Sequence, residues 1–254
     1  MGWGQGKAGP EEPNFLCQDN KLMGLGEGVW GRWQGPSAPG PLPQAANLPP
    51  ITGAILAGGF SRRLGRDKAT IRLGGVPLAR RVAAALAPVV ADCWLVTNQP
   101  QVHLALGLPL VTDLRPGHGP LGGLETALFY ARTPWVLAAA VDNPFVAPGL
   151  LAELAARAAR TSRPAVVCRS PRGLEPFPGL YAVRLLSRLG EFLRQDRRPQ
   201  RFLDACRALV LGPEEVSLLD PQGRSFFNLN TPEELEQAAA WLAAAGGGTE
   251  KPPF

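Results

Sequence analysis

An alternation of short apolar runs with longer segments of helical spacing constrains the fold of this chain more than any other feature. The apolar runs are "ITGAIL", "CWLVT", "LPLVTD", "WVLAAAVD" and "AVVC", and most are separated by segments such as "VPLARRVAAALAPVV", "LGGLETALFYAR" and "GLLAELAARAAR". A βαβαβα order of this kind predicts an α/β fold, with a mostly parallel, twisted sheet covered by helices on both faces. Ligands of such sheets bind outside the carboxyl ends of the strands, so the residues that follow each strand are candidate site residues.

The two ends of the chain differ from its middle in composition. Residues 1–50 are rich in Gly and Pro, as in "QGPSAPGPLPQAANLPP", and hold no sustained apolar run with a period of 2 or 3.6. Because such a segment buries little apolar surface, it is predicted to be a disordered extension. We therefore predict one folded domain over residues 51–245 and a flexible tail over residues 246–254.

Beyond Ser170 the alternation becomes irregular. No strand is assigned to the Pro-rich stretch "SPRGLEPFPGLYAV", and short helices are expected near Leu185–Leu193 and around Phe202. The segment "TPEELEQAAAWLAAAG" predicts a final helix, because Pro follows a Thr cap and acidic residues fill the first turn. Its apolar positions 235, 238, 239 and 242 have helical spacing, so this helix is expected to pack on the domain.

Composition argues against several classes of protein. The four cysteines stand far apart without a C-x-x-C pair, which disfavours a zinc site or a disulfide framework. We find neither the basic start and apolar run of a secretory signal nor an apolar run of about 20 residues that could span a membrane. A cytoplasmic location without a membrane partner is therefore expected.

The loop after the first apolar run carries the strongest chemical signal. Its sequence "LAGGFSRRLGRDKA" fits neither the G-x-x-x-x-G-K-[ST] nor the G-x-G-x-x-G phosphate-binding pattern. A glycine pair nevertheless lets the backbone approach a ligand closely, and the basic side chains that follow favour an anion. Lys68 is the only lysine between residues 52 and 245, where arginines are abundant, and is a candidate for a position that needs a compact ammonium.

Further segments along the chain carry a family resemblance together with this loop. In order, they are "VTD" ending at Asp113, "GPLGGL" from Gly119, "VDNPF" from Val141 and "FNLNTPEEL" from Phe227. With "LAGGFSRRLGRDK", they resemble the molybdenum cofactor guanylyltransferases, a family of nucleotidyltransferases with a Rossmann-like, nucleotide-diphospho-sugar transferase-like fold. "EPFPGLY" from Glu175 also looks like that family's substrate-side segment. The resemblance covers nearly all of residues 52–245, with Leu64 in place of the usual Met.

The resemblance implies roles for individual residues. Backbone contacts with the nucleotide are expected from Leu56, Ala57, Gly58 and Gly59. Lys68 matches a phosphate-binding lysine, and Arg63 matches an arginine that faces the β and γ phosphates, with a surface salt bridge as its alternative. Asp113 matches an aspartate near the nucleoside. Asp142 matches the Mg²⁺ ligand, and its place at the end of an apolar strand supports that role independently, against the alternative of a helix cap.

Two assignments stay open at this point. The family's nucleotide-contacting asparagine corresponds to Asn98 or Thr97, with Asn98 preferred. Asn228 and Asn230 are expected to alternate on a strand and to point to opposite sides. Asn230 either assists the metal or caps the following helix.

Two basic features also have alternative interpretations. His118 either contacts substrate or is a solvated loop residue, which we favour. The run "RQDRRPQR" from Arg194 to Arg201 binds the acceptor's phosphate or forms a solvated helix end. Residues 1–50 hold three basic and four acidic side chains, a charge of −1, so with a net charge of +5 the remaining residues carry +6. Because the chain lacks the interleaved aromatic residues of single-strand platforms, a nucleic acid partner is not predicted.

The implied reaction transfers GMP from GTP to molybdopterin, carrying Mo or not, with Mg²⁺ as cofactor and release of pyrophosphate. Molybdoenzymes or other proteins of cofactor biosynthesis are partners that the resemblance leaves open. One alternative is a cytidylyltransferase acting on molybdopterin or another phosphorylated metabolite. The resemblance favours guanine, because the cytidine branch tends to carry Ala-Ala-Gly where this chain has "AGG" at residues 57–59. A non-catalytic nucleotide-binding module is the other alternative, which the presence of both Lys68 and Asp142 disfavours.

Overall fold

The computed structural model describes residues 49–57, 60–61 and 66–246. The predicted disordered extension and flexible tail lie almost entirely outside the described residues, as do Gly58, Gly59 and Arg63. Within the described residues a seven-stranded sheet forms the centre, and helices pack on both of its faces. The α/β fold predicted from the alternation is confirmed.

The elements follow one another in largely the order that the apolar runs predicted. The strands are β1 (Ile51–Leu56), β2 (Phe60–Ser61), β3 (Arg66–Asp67), β4 (Arg72–Leu73), β5 (Val76–Pro77), β6 (Asp92–Thr97), β7 (Leu110–Thr112), β8 (Trp135–Ala140), β9 (Ala165–Ser170), β10 (Gly173–Ala182) and β11 (Leu209–Leu211). The helices are α1 (Leu78–Leu86), α2 (Pro100–His103), α3 (Gly119–Tyr130), α4 (Pro148–Arg157), α5 (Leu186–Leu193), α6 (Pro199–Cys206), α7 (Pro213–Leu219) and α8 (Pro232–Gly246). None of the described helices is at once long and apolar enough to cross a membrane.

The central sheet has the strand order β11-β9-β10-β8-β1-β6-β7. β1 pairs in parallel with both β6 and β8, and the pairs β6–β7 and β9–β11 are also parallel. The short strands β2–β3 and β4–β5 form two separate antiparallel pairs. Because β8, β1, β6 and β7 run in the same direction, their carboxyl ends meet at one edge of the sheet.

β10 runs antiparallel to both of its neighbours, β8 and β9. The sequence analysis assigned no strand to this Pro-rich stretch, and that prediction is wrong. Proline lacks the backbone N–H that a ladder needs, so two prolines disfavour a central strand. In the structure the pairing with β9 shifts register between Glu175 and Leu180, and Pro176 and Pro178 fall inside that irregular part.

Two apolar clusters hold the helices to the sheet, one on each face. Side chains of β1 alternate between them, with Ile51 and Ile55 in one cluster and Ala54 and Leu56 in the other. The first cluster contains residues of α1, α4 and α8, and the second contains residues of α3, α5 and α6. The sheet is therefore buried on both faces, which explains why its strands are continuous apolar runs.

The final helix, α8, begins at the predicted cap. Thr231 Oγ1 accepts a hydrogen bond from the backbone N–H of Glu234, and the Glu234 carboxylate accepts one from the N–H of Thr231. This reciprocal pair is a capping box. The helix packs on the domain as predicted, through Leu235, Ala238 and Leu242, but the fourth apolar position of the pattern, Ala239, is exposed. Trp241 packs edge-on against Phe227, which itself packs against the core.

Candidate active site

A cleft of about 350 Å³ lies at the carboxyl edge of the sheet, where the parallel strands were predicted to place a ligand. The ends of β1, β6 and β8 line it, together with the first turn of α3 and the early part of β10. Its polar side chains are those of Lys68, Asp113, Asp142, Asn143, Glu175, Gln200 and Asn228. The cleft therefore joins residues from most of the segments that carried the family resemblance.

Lys68 lies at the centre of the polar contacts. It begins a short 3₁₀-helical turn, Lys68–Thr70, and its Nζ lies 2.6 Å from Asp142 Oδ2 and 2.6 Å from Asn230 Oδ1. The side chains of Lys68 and Asp142 are only 15% and 19% exposed, so the ion pair is largely shielded from water. The structure thus brings together the predicted phosphate-binding lysine and both predicted metal ligands.

The segment that carries Asn228 and Asn230 has no regular secondary structure. The predicted strand is therefore wrong. The backbone is held instead by a hydrogen bond from Leu229 N–H to the carbonyl oxygen of Asp142. Asn230 Oδ1 contacts Lys68, while Asn228 Oδ1 accepts a hydrogen bond of 2.7 Å from Asn143 Nδ2. Thr231 supplies the side-chain cap of α8, so the Asn230 side chain is not the cap.

Asp113 is buried beside the cleft and is held in one orientation. Its Oδ1 lies 3.1 Å from the backbone nitrogen of Arg115 and 2.9 Å from Thr126 Oγ1. Its own backbone N–H donates to the carbonyl oxygen of Thr97, which joins the ends of β6 and β7. These contacts fix the carboxylate that was predicted to lie near the nucleoside.

Small residues let the start of α3 approach β1 closely. A Cβ at Gly123 would lie 3.3 Å from the Leu56 side chain, and a Cβ at Gly122 would lie 2.8 Å from the Cβ of His118. Leu56 and Gly123 both line the cleft. The "GPLGGL" segment therefore contributes close backbone packing to the wall of the cleft.

Asn98, the residue after β6 that was preferred as a nucleotide contact, does not line the cleft. Asn98 is exposed and is not among the residues that line the cleft, and Thr97 is buried with its hydroxyl oxygen 2.8 Å from His103 Nδ1. Val96, one residue earlier, lines the cleft instead. The contact predicted for Asn98 stays a prediction.

The basic run after α5 is largely paired within itself. Arg198 and Arg201 both contact the Asp196 carboxylate, and the hydrogen bond from Arg198 lowers the pKa of Asp196 well below its usual range. Arg197 donates to the carbonyl oxygen of Gly117, in the loop before α3. Of the neighbouring residues, Gln200 reaches the cleft.

Two polar residues in or next to α3, His118 and Glu125, are not among the residues that line the cleft. His118 lies in the loop directly before α3 and is half-buried, with its Nδ1 shielded from water, and it does not line the cleft, so its interpretation as a solvated loop residue stays a prediction. Glu125 is buried on the same helix, with Arg115 Nε 3.0 Å from its Oε2. Burial raises the pKa of Glu125, and the charge of Arg115 opposes this shift.

Sequence reasoning missed two polar residues of the cleft, Asn143 and Gln200. Asn143 is buried and directly follows Asp142 in "VDNPF", so its place after the strand was a signal that could have found it. Gln200 lies in the first turn of α6, whose position depends on packing against β10, and the sequence offered no such signal. Glu175 lies in the segment already noted as substrate-side.

The fold and the cleft together define a class of protein. A 2-C-methyl-D-erythritol 4-phosphate cytidylyltransferase from Thermus thermophilus has a similar solved structure, with a TM-score of 0.56 over 75% of this chain and 98% of that one. At 20% identity this similarity shows the fold alone. With Lys68 and Asp142 paired at the carboxyl edge, the chain has this fold and a polar cleft at the edge where ligands of such sheets bind.

Closer relatives identify the family. The family model described as "MobA-like NTP transferase domain" matches residues 53–210. A "Probable molybdenum cofactor guanylyltransferase" of Chloroflexus aggregans is 36% identical over 202 residues, which cover 76% of this chain and 95% of that protein. The solved structure of molybdopterin-guanine dinucleotide biosynthesis protein A from Archaeoglobus fulgidus is 26% identical, with a TM-score of 0.67 over 76% of this chain and 99% of that one. The chain belongs to the MobA-like NTP transferase family.

Proposed function

We propose that this nucleotidyltransferase transfers GMP from GTP to molybdopterin, which forms the guanine dinucleotide form of the molybdenum cofactor and releases pyrophosphate. Family membership and the names of the relatives support this pair of substrates. The observation that carries the proposal is the meeting of Lys68, Asp142 and Asn230 at 2.6 Å contacts beside the cleft. A cation-binding and phosphate-binding centre at this edge is what a nucleotidyl transfer needs.

In this reaction an oxygen of the terminal phosphate of molybdopterin attacks the α phosphorus of GTP. A phosphorus–oxygen bond forms, and the bond from the α phosphorus to the bridging oxygen of the departing pyrophosphate breaks. No protein nucleophile takes part. The chain's residues therefore act by positioning the two phosphates in line and by stabilising charge on the transferring group.

The donor set beside Lys68 fits Mg²⁺ as the cofactor. Asp142 and Asn230 direct a carboxylate oxygen and an amide oxygen at one position, which the Lys68 ammonium now shares. Within the described residues no three His, Cys, Asp or Glu side chains cluster as a metal site. Mg²⁺ commonly binds one or two protein carboxylates and completes its shell with phosphate oxygens and water. Bound here, it would neutralise charge on the triphosphate.

Lys68 has a second role in the proposal, which is to donate hydrogen bonds to the phosphates of GTP. A metal ion held by Asp142 and Asn230 would supply the positive charge that the Lys68 ammonium supplies to that carboxylate in this structure. Arg63 and the backbone of Gly58 and Gly59 remain predicted partners of the same phosphates. Asp113, already held by Arg115 N–H, can accept a hydrogen bond from the nucleoside.

The acceptor is assigned to the opposite wall, formed by β10 and α6. Glu175, Pro176 and Phe177 line this side of the cleft, and Gln200 adds an amide. The wall is firmly held, because Ser170 Oγ lies 2.6 Å from Glu175 Oε1 and the Tyr181 hydroxyl donates to the carbonyl oxygen of Pro176. Two fixed walls are what an in-line displacement requires, because small misplacements cost large factors in rate.

Pyrophosphate release tests this function directly. The full chain is incubated with molybdopterin and, in turn, with GTP, CTP, ATP and UTP, with and without Mg²⁺. We expect turnover with GTP and Mg²⁺. A preference for CTP would support the cytidylyltransferase alternative, and no turnover with any pair would overturn the enzyme proposal in favour of a nucleotide-binding module.

A further inference from the structure

A chain of hydrogen bonds connects the Lys68 turn to the end of β6. Asp67 precedes Lys68, and its Oδ1 accepts from the backbone N–H of Ala69 at 2.9 Å. The same oxygen lies 2.8 Å from Nε2 of His103, whose side chain is completely buried. His103 Nδ1 lies 2.8 Å from Thr97 Oγ1. None of these contacts belongs to the cleft described above, yet they end one residue from Lys68.

The contacts fix which ring nitrogen of His103 carries a proton. Asp67 offers a carboxylate, which accepts hydrogen bonds, so Nε2 must be protonated to donate to it. Thr97 Oγ1 accepts from the backbone N–H of Gln99 at 3.0 Å and can either donate to Nδ1 or accept from it. In each case Nε2–H donates to Asp67. The histidine therefore acts as a rigid spacer between Asp67 and Thr97.

The position of β1 in the sheet shows where this chain of contacts holds the Lys68 turn. β1 lies between β8 and β6. Lys68 contacts Asp142, just beyond the end of β8, whereas Asp67 is joined through His103 to Thr97, the last residue of β6. The two neighbouring residues thus anchor the same turn on both sides of the carboxyl end of β1.

We propose that His103 is a positioning residue that holds the backbone of Lys68 during catalysis. This inference rests on the proposed function, in which the ammonium leaves Asp142 to bind phosphate. At that moment the anchor on the β8 side is lost, and the Asp67–His103–Thr97 contacts keep the turn in place. His103 touches no substrate, since its side chain is fully buried behind the turn.

Two amide substitutions at His103 each keep one of its two contacts, with Asp67 or with Thr97, and remove the other. The side-chain nitrogen of Gln can replace Nε2 of histidine, so His103→Gln keeps the donor to Asp67 and loses the contact with Thr97. The shorter Asn places its amide near the former Nδ1, so His103→Asn keeps the contact with Thr97 and no longer reaches Asp67. A third variant avoids the buried position altogether. Asp67→Ser keeps an acceptor for the N–H of Ala69 but is too short to reach His103.

The variants are compared by kcat and KM for GTP in pyrophosphate release, by thermal unfolding, and by hydrogen exchange of the Ala69 amide. We expect kcat to fall about 10- to 100-fold in His103→Asn and Asp67→Ser, with KM changed less than about threefold, because the turn is misplaced while other phosphate donors remain. His103→Gln should keep kcat within about threefold of the wild-type value. The Ala69 amide should exchange faster in His103→Asn than in His103→Gln.

Several results would overturn the positioning role. Equal kcat in folded His103→Asn and His103→Gln would overturn it. Wild-type kcat in Asp67→Ser would also overturn it, and this variant is the deciding one if His103→Asn does not fold. If the wild-type chain releases no pyrophosphate, the proposed function fails separately. Hydrogen exchange at Ala69 then still decides whether His103 holds the turn, and equal exchange in the two amide variants would refute it.

Discussion

Replacing Lys68 by Met removes the ammonium from the cleft and nearly keeps the length of the side chain. Asp142 Oδ2 and Asn230 Oδ1, each 2.6 Å from Nζ, then lose their shared donor. In the absence of ligand the protein should become less stable, because a largely shielded carboxylate is left without its counter-charge. In the presence of GTP it should also lose a donor to the phosphates.

The exposure of the pair sets the size of the stability effect. Breaking a buried ion pair costs about 3–5 kcal/mol, and an exposed pair contributes about 0–1 kcal/mol. With side chains 15% and 19% exposed, this pair lies between those limits, so we expect the free energy of unfolding to fall by about 2 kcal/mol. For a domain of this size that corresponds to a Tm lower by about 4–8 °C. We expect kcat to fall about 100- to 1,000-fold, as for loss of other preorganised donors.

The assay combines urea unfolding followed by circular dichroism with pyrophosphate release. Arg72→Met is the matched control, because Arg72 is an exposed basic residue nearby whose side chain donates a hydrogen bond to the carbonyl oxygen of Gly75 and forms no ion pair with a described residue. It should change stability by less than about 0.5 kcal/mol. Lys68→Arg keeps the charge on a planar fork and should recover more stability than turnover. Wild-type kcat in Lys68→Met would refute the phosphate role, and wild-type stability would refute the contribution of the ion pair.

Three further changes test the packing and charge of α3 and the proposed metal ligand. Burial raises the pKa of Glu125 in the folded protein, so the ionisation of Glu125 lowers the free energy of unfolding as pH rises through that pKa. Glu125→Gln should therefore be stabilised relative to wild type more at pH 8 than at pH 4. The opposite trend in urea unfolding would contradict this. Gly122→Ala places a Cβ 2.8 Å from that of His118 and should cost about 1–3 kcal/mol in the same assay, whereas Gly212→Ala, with open space around it, should cost less than about 0.5 kcal/mol. Asp142→Asn keeps an acceptor for the nearby ammonium but loses the metal-binding charge, so pyrophosphate release should fall at least about 100-fold without recovery at higher Mg²⁺ concentration. Undiminished turnover in this variant would exclude the metal role.

The parts of the fold that the sequence predicted are those in which one local pattern dominates. β8 is a continuous apolar run because both of its faces are buried, and Asp142 follows it at the edge where ligands bind. Such features depend on neighbours in the chain and can be found by periodicity. β10 was missed because its prolines argue against a strand, and only the register shift near Glu175 shows how the sheet accommodates them.

The site was less accessible to sequence reasoning, because its contacts join distant parts of the chain. Lys68 lies 74 residues from Asp142 and 162 residues from Asn230, and no spacing rule relates positions so far apart. Their association came from the family resemblance. His103 carried no signal at all, since a histidine within an apolar segment is as consistent with a buried structural role as with any other. Its partners became visible only when β1, β6 and the Lys68 turn were placed together.

The antiparallel direction of β10 has a consequence for how the two halves of the cleft can vary. Its parallel neighbours present their carboxyl ends to the cleft, whereas β10 presents its early residues, Glu175 to Phe177, and its later part pairs with β8 deep in the sheet. Under the proposed function, a chimaera that exchanges this first part between relatives would alter the acceptor wall and leave the parallel strands β8, β1, β6 and β7 unchanged. Under this proposal, exchange of one short segment would test acceptor choice separately from the contacts among Lys68, Asp142 and Asn230.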